Sequence, residues 1–279
     1  MRVRQGEAHR ERTREVDVAE ALRPYILDDA ATVEYQRLDL MSKILDPWTQ
    51  RYLEGIGVGP GWRCLELGGG NGSVAEWLCG VVGPSGSVTS VDINTALLRL
   101  VPAQNLTVAQ ADVRTSELPG AGYDLVTCRA MLHQVAEQAP AILGKMAAAV
   151  RPGGWLLVQE PDFHLAPTTE PATWADTWSA ILGWGRDNGV DWFIGRRLPG
   201  MVVDAGFARP QASTDVENIR GGERGALYFK LFFAEVRDRV LAAGGLDAAT
   251  LDAATALLDD PTSWTQCWMM TAVWGRKAG

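Results

Sequence analysis

The chain has 279 residues, of which 47% are apolar and 22% charged, a composition that supports a sizeable core. Its 34 acidic and 26 basic residues leave a formal net charge of -8. That balance repels phosphate backbones unless a basic face is segregated, so nucleic acid is disfavoured as a partner.

The only basic cluster, Arg2, Arg4, Arg10, Arg12 and Arg14, is interrupted by Glu7 and Glu11 and reads as a flexible, solvated tail over residues 1–16. No apolar segment follows these arginines, and no run approaches the roughly 18 apolar residues of a membrane span, so the expected compartment is the cytoplasm, with no membrane partner. Cys64, Cys79, Cys128 and Cys267 lie far apart, without a CxxC pair or a His/Cys cluster. They imply reducing surroundings and no metal site.

Residues 17–55 read as helices. Asp17 can cap the first, and Val33, Arg37, Met41 and Ile44 or Leu45 recur at helical spacing. Asp46-Pro47 then predicts a fresh start, Asp as N-cap and Pro in the first helical position, with Gly55 closing a short helix. From Trp62 the rhythm changes to short apolar runs separated by helical stretches: WRCLEL, SVTSVDI, NLTVAQ, YDLVTC and WLLVQE. Repeated strand–helix alternation predicts an α/β fold, a parallel sheet covered on both faces. Gly83-Pro84-Ser85-Gly86 and Arg151-Pro152-Gly153-Gly154 each stop a helix before a strand. There is no internal repeat.

Chemistry begins where the first strand ends. Glu66-Leu67-Gly68-Gly69-Gly70-Asn71-Gly72 leads into the helical run SVAEWL, and glycines there let a nucleoside approach the backbone beside free N–H groups of a helix N-terminus. About twenty residues on, the second strand ends at Asp92, followed by Ile93, where a carboxylate can accept both ribose hydroxyl hydrogens. Asp112-Val113 follows the third strand; its carboxylate could meet an adenine amino group or cap its own turn.

Together these residues resemble the class I S-adenosylmethionine-dependent methyltransferases, in particular the small-molecule enzymes of bacterial biosynthesis. The resemblance runs from about Trp62 to Pro161. It is carried by Glu66-x-Gly68-x-Gly70-x-Gly72, by Asp92, by Asp112-Val113, by the fourth-strand segment 123–128 and by the turn Arg151-Pro152-Gly153-Gly154-Trp155. It implies a Rossmann-like, seven-stranded sheet with the last strand antiparallel, and S-adenosyl-L-methionine as cofactor. It also implies a cofactor set of Glu66, Gly68, Gly70, Asn71, Gly72, Asp92, Ile93, Asp112, Val113 and Arg129, with Glu66 at the methionine end. A nicotinamide-dependent oxidoreductase would want Gly or Ala where Ser73 stands.

Residues 129–134 lie just past the fourth strand, facing the expected pocket. Arg129 could touch the cofactor or cap its strand, and His133 could serve as a general base or only tie the loop down. The segment Glu160-Pro161-Asp162-Phe163-His164 reads as a second strand-end loop aimed at the site, with two carboxylates and an imidazole in reach of a substrate and His164 as an alternative base or an idle exposed histidine. Trp174, Trp178, Ile181 and Leu182 share a helical face within 161–200, as do aromatic residues Tyr228, Phe229, Phe232 and Phe233 within 221–260. Such stripes suit either plain core or a lid over an apolar acceptor. The run 264–277 reads as the seventh strand.

The expected organisation is therefore a single domain over 17–279, with N-terminal helices at 17–55, a cofactor-binding core at 62–160, and substrate-lid helices at 161–200 and 221–260. The expected partner is a small, partly apolar acceptor methylated on O, N or C in secondary metabolism. Alternatives are a bound cofactor that supports a different reaction such as cyclisation, and a non-catalytic binding module. The N-terminal helices could cover the site or exchange between subunits of a homo-oligomer.

Overall fold

The computed structural model describes residues 29–279, with side chains from residue 33. The tail over residues 1–16 and the helix capped by Asp17 lie outside the described residues. Helix α1 (Asp29–Ile56) runs unbroken through Pro47, where a new helix was expected. A proline inside a helix removes a donor and orphans the carbonyl four residues back. Here that carbonyl, on Lys43, accepts a hydrogen bond from Arg224 Nη1 at 3.0 Å, so the defect is repaired in part from outside the helix. The helix closes on Gly57 in the left-handed conformation at φ 86°, not on Gly55.

Strands β1 (Arg63–Leu67), β2 (Ser87–Asp92), β3 (Leu106–Gln110), β4 (Tyr123–Arg129), β5 (Val150–Asp162), β6 (Gln211–Arg220) and β7 (Trp264–Arg276) form one sheet in the order β3-β2-β1-β4-β5-β7-β6. The first five pair in parallel, whereas β7 pairs antiparallel with both β5 and β6. Alternation along the central strands sorts the core by face. Cys64, Val88, Leu125 and Leu157 pack against α1 and α2 (Ser73–Val82). On the other face, Leu65, Val91, Val126 and Leu156 pack against α3 (Ala139–Ala149) and α5 (Leu198–Asp204).

The turn 151–154 is taken up as a bulge inside β5, because Tyr123 pairs with Val150 while Leu125 already pairs with Trp155. Strand β5 is also longer than WLLVQE suggests. Antiparallel pairing with β7 carries it through Pro161 and Asp162, opposite Met270 and Met269, so these residues are strand and not loop. Proline fits there because β4 is last registered at Arg129 opposite Gln159, leaving the strand beyond that point with a partner on one side only.

Helices α4 (Ala172–Asp187), α6 (Arg224–Ala242) and α7 (Ala248–Leu257) form a separate layer with a largely aromatic core of its own. Trp174 and Trp178 are fully buried there, with Phe233 5.6 Å from both rings. The tryptophan stripe is core packing. The pocket wall comes from neighbouring aromatics instead.

Candidate active site

A cavity of about 640 Å³ opens at the carboxyl ends of β1, β2 and β4, where an open α/β sheet places its ligands. One wall is the turn after β1. Gly68 and Gly70 hold φ 74° and 53°, and Gly68 donates its N–H to Val91 O at 2.8 Å. A side chain at Gly68 would strike Met131, whereas a Cβ on Gly70 would meet nothing closer than Leu38 at 3.9 Å. The bare backbone of Gly70 therefore faces open cavity.

Asp92 ends β2 with both carboxylate oxygens held. One accepts the Gly70 N–H at 2.8 Å and the other the Asn94 N–H at 2.9 Å, which fixes the carboxylate against the glycine turn. Beside it Ile93 is 61% exposed, an apolar surface on the cavity wall that a planar base could cover. Asp112 and Val113 continue the wall. Arg114 grips Asp112 through its side chain and backbone N–H and holds that carboxyl below the usual carboxylate range. Asp112 thus caps its own turn while remaining on the wall.

Arg129 lines the same space from β4. Its guanidinium donates to Asp46 Oδ1 at 2.8 Å and Thr49 Oγ1 at 2.9 Å on α1, and to Ser73 Oγ at 3.3 Å on α2. It therefore joins α1 to the glycine turn. Glu66, Asn71 and Gly72 stand behind the wall rather than on it. Asn71 Oδ1 accepts from Ser42 Oγ and the Ser73 N–H, and a Cβ at Gly72 would lie 2.4 Å from Val101. Glu66 is buried and accepts the Ser90 hydroxyl. Burial pushes its carboxyl up to about 7, against the opposing pull of the Ser90 hydrogen bond and Arg129.

The opposite half of the cavity is aromatic. Phe163, Trp184, Trp192, Tyr228, Phe229, Phe232 and Trp268 line it, with Phe163 against Phe229 and Trp192 against Phe232. His133 lines the same cavity, with its ring 5.4 Å from that of Trp192. Its Nδ1 lies 3.0 Å from Glu160 Oε2.

Glu160 is fully buried on β5 and does not line the cavity, so its carboxylate, expected within reach of a substrate, holds the backbone of the His133 loop instead. The available signal was an acidic residue closing an apolar strand next to the one that ends at the loop of His133. His164, by contrast, is exposed and lies outside the cavity walls. Its neighbour Asp162 is occupied by a two-pronged ion pair with Arg196 and by the His164 backbone N–H. Among the described residues no helix is long and apolar enough to cross a membrane, and no group of three or more His, Cys, Asp or Glu is placed to hold a metal.

A methyltransferase-domain family model matches residues 30–209, which span α1 and the sheet through β5 and onward to α5. The chain belongs to this methyltransferase family. Among curated relatives, the ubiquinone/menaquinone biosynthesis C-methyltransferase of Ectopseudomonas mendocina is 34% identical over 137 residues, covering 44% of this chain and 53% of that protein. The one from Shewanella halifaxensis is 28% identical over 137 residues, covering 44% and 54%. The chain thus spans about half the length of the curated relatives it matches.

Two solved structures share the fold. The phosphoethanolamine N-methyltransferase 2 of Haemonchus contortus, in complex with S-adenosylhomocysteine, superposes with a TM-score of 0.50 at 16% identity, covering 83% of this chain and 53% of that one. The [4+2]-cyclase SpnF superposes with a TM-score of 0.51 at 16% identity, covering 84% and 80%. The methyltransferase described here has S-adenosylmethionine as its family's cofactor. The backbone of Gly70 open to the cavity, the fixed carboxylate of Asp92 and the exposed Ile93 fit the adenosyl group.

Proposed function

We propose that this chain catalyses S-adenosylmethionine-dependent methylation of a small, planar, largely apolar acceptor bearing an acidic hydroxyl, on its oxygen or on an activated ring carbon. One observation carries the reading. A single cavity is lined by the glycine turn, by Asp92, by seven aromatic side chains and by His133. Gly68, Gly70, Asp92, Ile93, Asp112 and Val113 would hold the adenosyl end, and Glu66 and Arg129 would set the charge at the methionine end.

The bound cofactor supplies a methyl group made electrophilic by its sulfonium, with a neutral thioether as leaving group. The protein's task is then to align and to exclude water, and alignment alone can supply up to roughly 7–11 kcal/mol. Aromatic walls orient a flat acceptor by stacking and edge contacts while keeping the chamber dry. His133, held through Nδ1, has Nε2 left to take the acceptor proton, help worth roughly 10²- to 10⁴-fold. The similarity to quinone-pathway C-methyltransferases supports a ring acceptor whose deprotonation enriches a carbon nucleophile.

The test is incubation of the purified protein with S-adenosylmethionine and 1,4-dihydroxynaphthalene, 2-naphthol, catechol and, as an aliphatic control, cyclohexanol, followed by mass spectrometry. A product heavier by one CH2 from the aromatic hydroxyl compounds, with S-adenosylhomocysteine formed in equal amount, is the expected outcome. Methylation confined to cyclohexanol would refute the acceptor class.

A further inference from the structure

Immediately after β4 the backbone turns through Ala130 at φ 52°, the left-handed region that a residue with a Cβ adopts only under strain. The three residues that follow point successive N–H groups inward, and the same carboxylate receives all of them. Glu160 Oε1 accepts from Met131 at 3.0 Å and Leu132 at 2.8 Å, and Oε2 accepts from His133 at 3.1 Å. Successive backbone N–H groups converging in this way form an anion-binding concavity. Here its anion is a side chain of the neighbouring strand. The register Arg129 opposite Gln159 on β4 and β5 is what sets Glu160 beneath the turn.

The same Oε2 lies 3.0 Å from His133 Nδ1. An ionised carboxylate offers only acceptor sites, so against Glu160 a neutral imidazole presents Nδ1 as the donor. The free ring nitrogen is then Nε2, in the tautomer that leaves it a proton acceptor. The ring is also pinned from outside, because Asp191 donates its N–H to His133 O and the Trp192 ring packs against the imidazole.

We infer that Glu160 is a positioning residue: it fastens the strained turn 130–133 and selects the Nδ1–H tautomer of His133, so that Nε2 faces the acceptor as a base. The inference rests on the proposed role of His133 in methyl transfer, but its central element is a property of the resting protein. Loss of the carboxylate that orients a catalytic histidine and fixes its tautomer is costly in hydrolases built on the same logic.

The experiment uses full-length protein labelled with ¹⁵N-histidine and saturated with S-adenosylhomocysteine, the His133 signals being assigned by their loss in His133→Asn. Long-range ¹⁵N–¹H correlation spectra separate the two neutral tautomers directly. Wild type is expected to show the Nδ1–H pattern at His133. Glu160→Gln is expected to lose that preference and to lower turnover of 1,4-dihydroxynaphthalene by about a hundredfold. S-adenosylhomocysteine affinity should stay within about twofold, since Glu160 does not line the cavity.

Glu160→Asp, which keeps the charge, should recover part of the Nδ1–H population and part of the turnover. An Nε2–H pattern at His133 in wild type overturns the inference whatever the variants do. So does an unchanged tautomer and turnover in Glu160→Gln. If no aromatic acceptor is methylated by wild type, the acceptor reading fails while the tautomer measurement still decides the role of Glu160.

Discussion

Replacing Glu66 by glutamine should make the cofactor-free protein more stable and a poorer binder. Glu66 is buried, its partner is a neutral serine, and burial lifts its carboxyl from the ordinary 4.5 to about 7. A carboxyl whose value is raised on folding binds its proton more tightly in the native state, so native stability falls as pH rises from 4.5 through 7 and levels off above. That displacement corresponds to about 3 kcal/mol. The glutamine amide would still accept the Ser90 hydroxyl but carries no charge to desolvate.

The stability difference between variant and wild type should therefore grow by about 3 kcal/mol between pH 4.5 and 8, whatever constant offset the buried amide adds. For a protein of this size that is about 6–12 °C in Tm. Urea unfolding of the two proteins across pH 4.5 to 8, with and without S-adenosylhomocysteine, is the assay. If the ammonium of the cofactor's methionine end is what the ionised carboxylate serves, Glu66→Gln should also bind S-adenosylhomocysteine at least about tenfold more weakly at pH 8. Parallel stability curves for the two proteins would refute the argument from burial, and unchanged affinity would remove Glu66 from the cofactor's methionine end.

Asp92→Ala should weaken S-adenosylmethionine binding by at least about tenfold without unfolding the protein, because it removes both a ribose acceptor and the Gly70 anchor; calorimetry with unchanged affinity would overturn the assignment. His133→Ala should lower kcat more than it raises KM for an aromatic acceptor, and equal turnover would return this histidine to a purely structural role. Pro47→Ala restores a donor inside α1 and should raise stability by about 1 kcal/mol or more, read from urea midpoints. An unchanged midpoint would mean that Arg224 already compensates the Lys43 carbonyl in full.

The sheet was legible because its signals are local. Glycine spacing after WRCLEL, an acidic residue closing SVTSVDI and helix-stopping turns before strands each encode one strand end. The same logic located the loop carrying His133. The misread features depend on partners distant in sequence. Asp46-Pro47 has the chemistry of a helix start, but Arg224, far along the chain, caps the broken hydrogen bond and lets one helix continue.

Glu160 could not be separated from Asp162 by composition, since both close an apolar run. Only the β4–β5 register decides that Glu160 meets the turn of His133 while Asp162 meets Arg196. His164 was a candidate by proximity to a strand end, and the extension of β5 along β7 carries it past the cavity to solvent. The tryptophan stripe illustrates the limit of helical periodicity. Trp174 and Trp178 are buried in the core, but a stripe in the sequence does not say whether a core or a ligand lies behind it.

In the proposed function, cofactor capture depends on the glycine turn and Asp92 forming one adenosyl-binding wall. Titration of S-adenosylhomocysteine into purified protein, followed by heat, tests this most directly. Saturable one-site binding in the micromolar range is predicted, and no binding heat at millimolar ligand would contradict it.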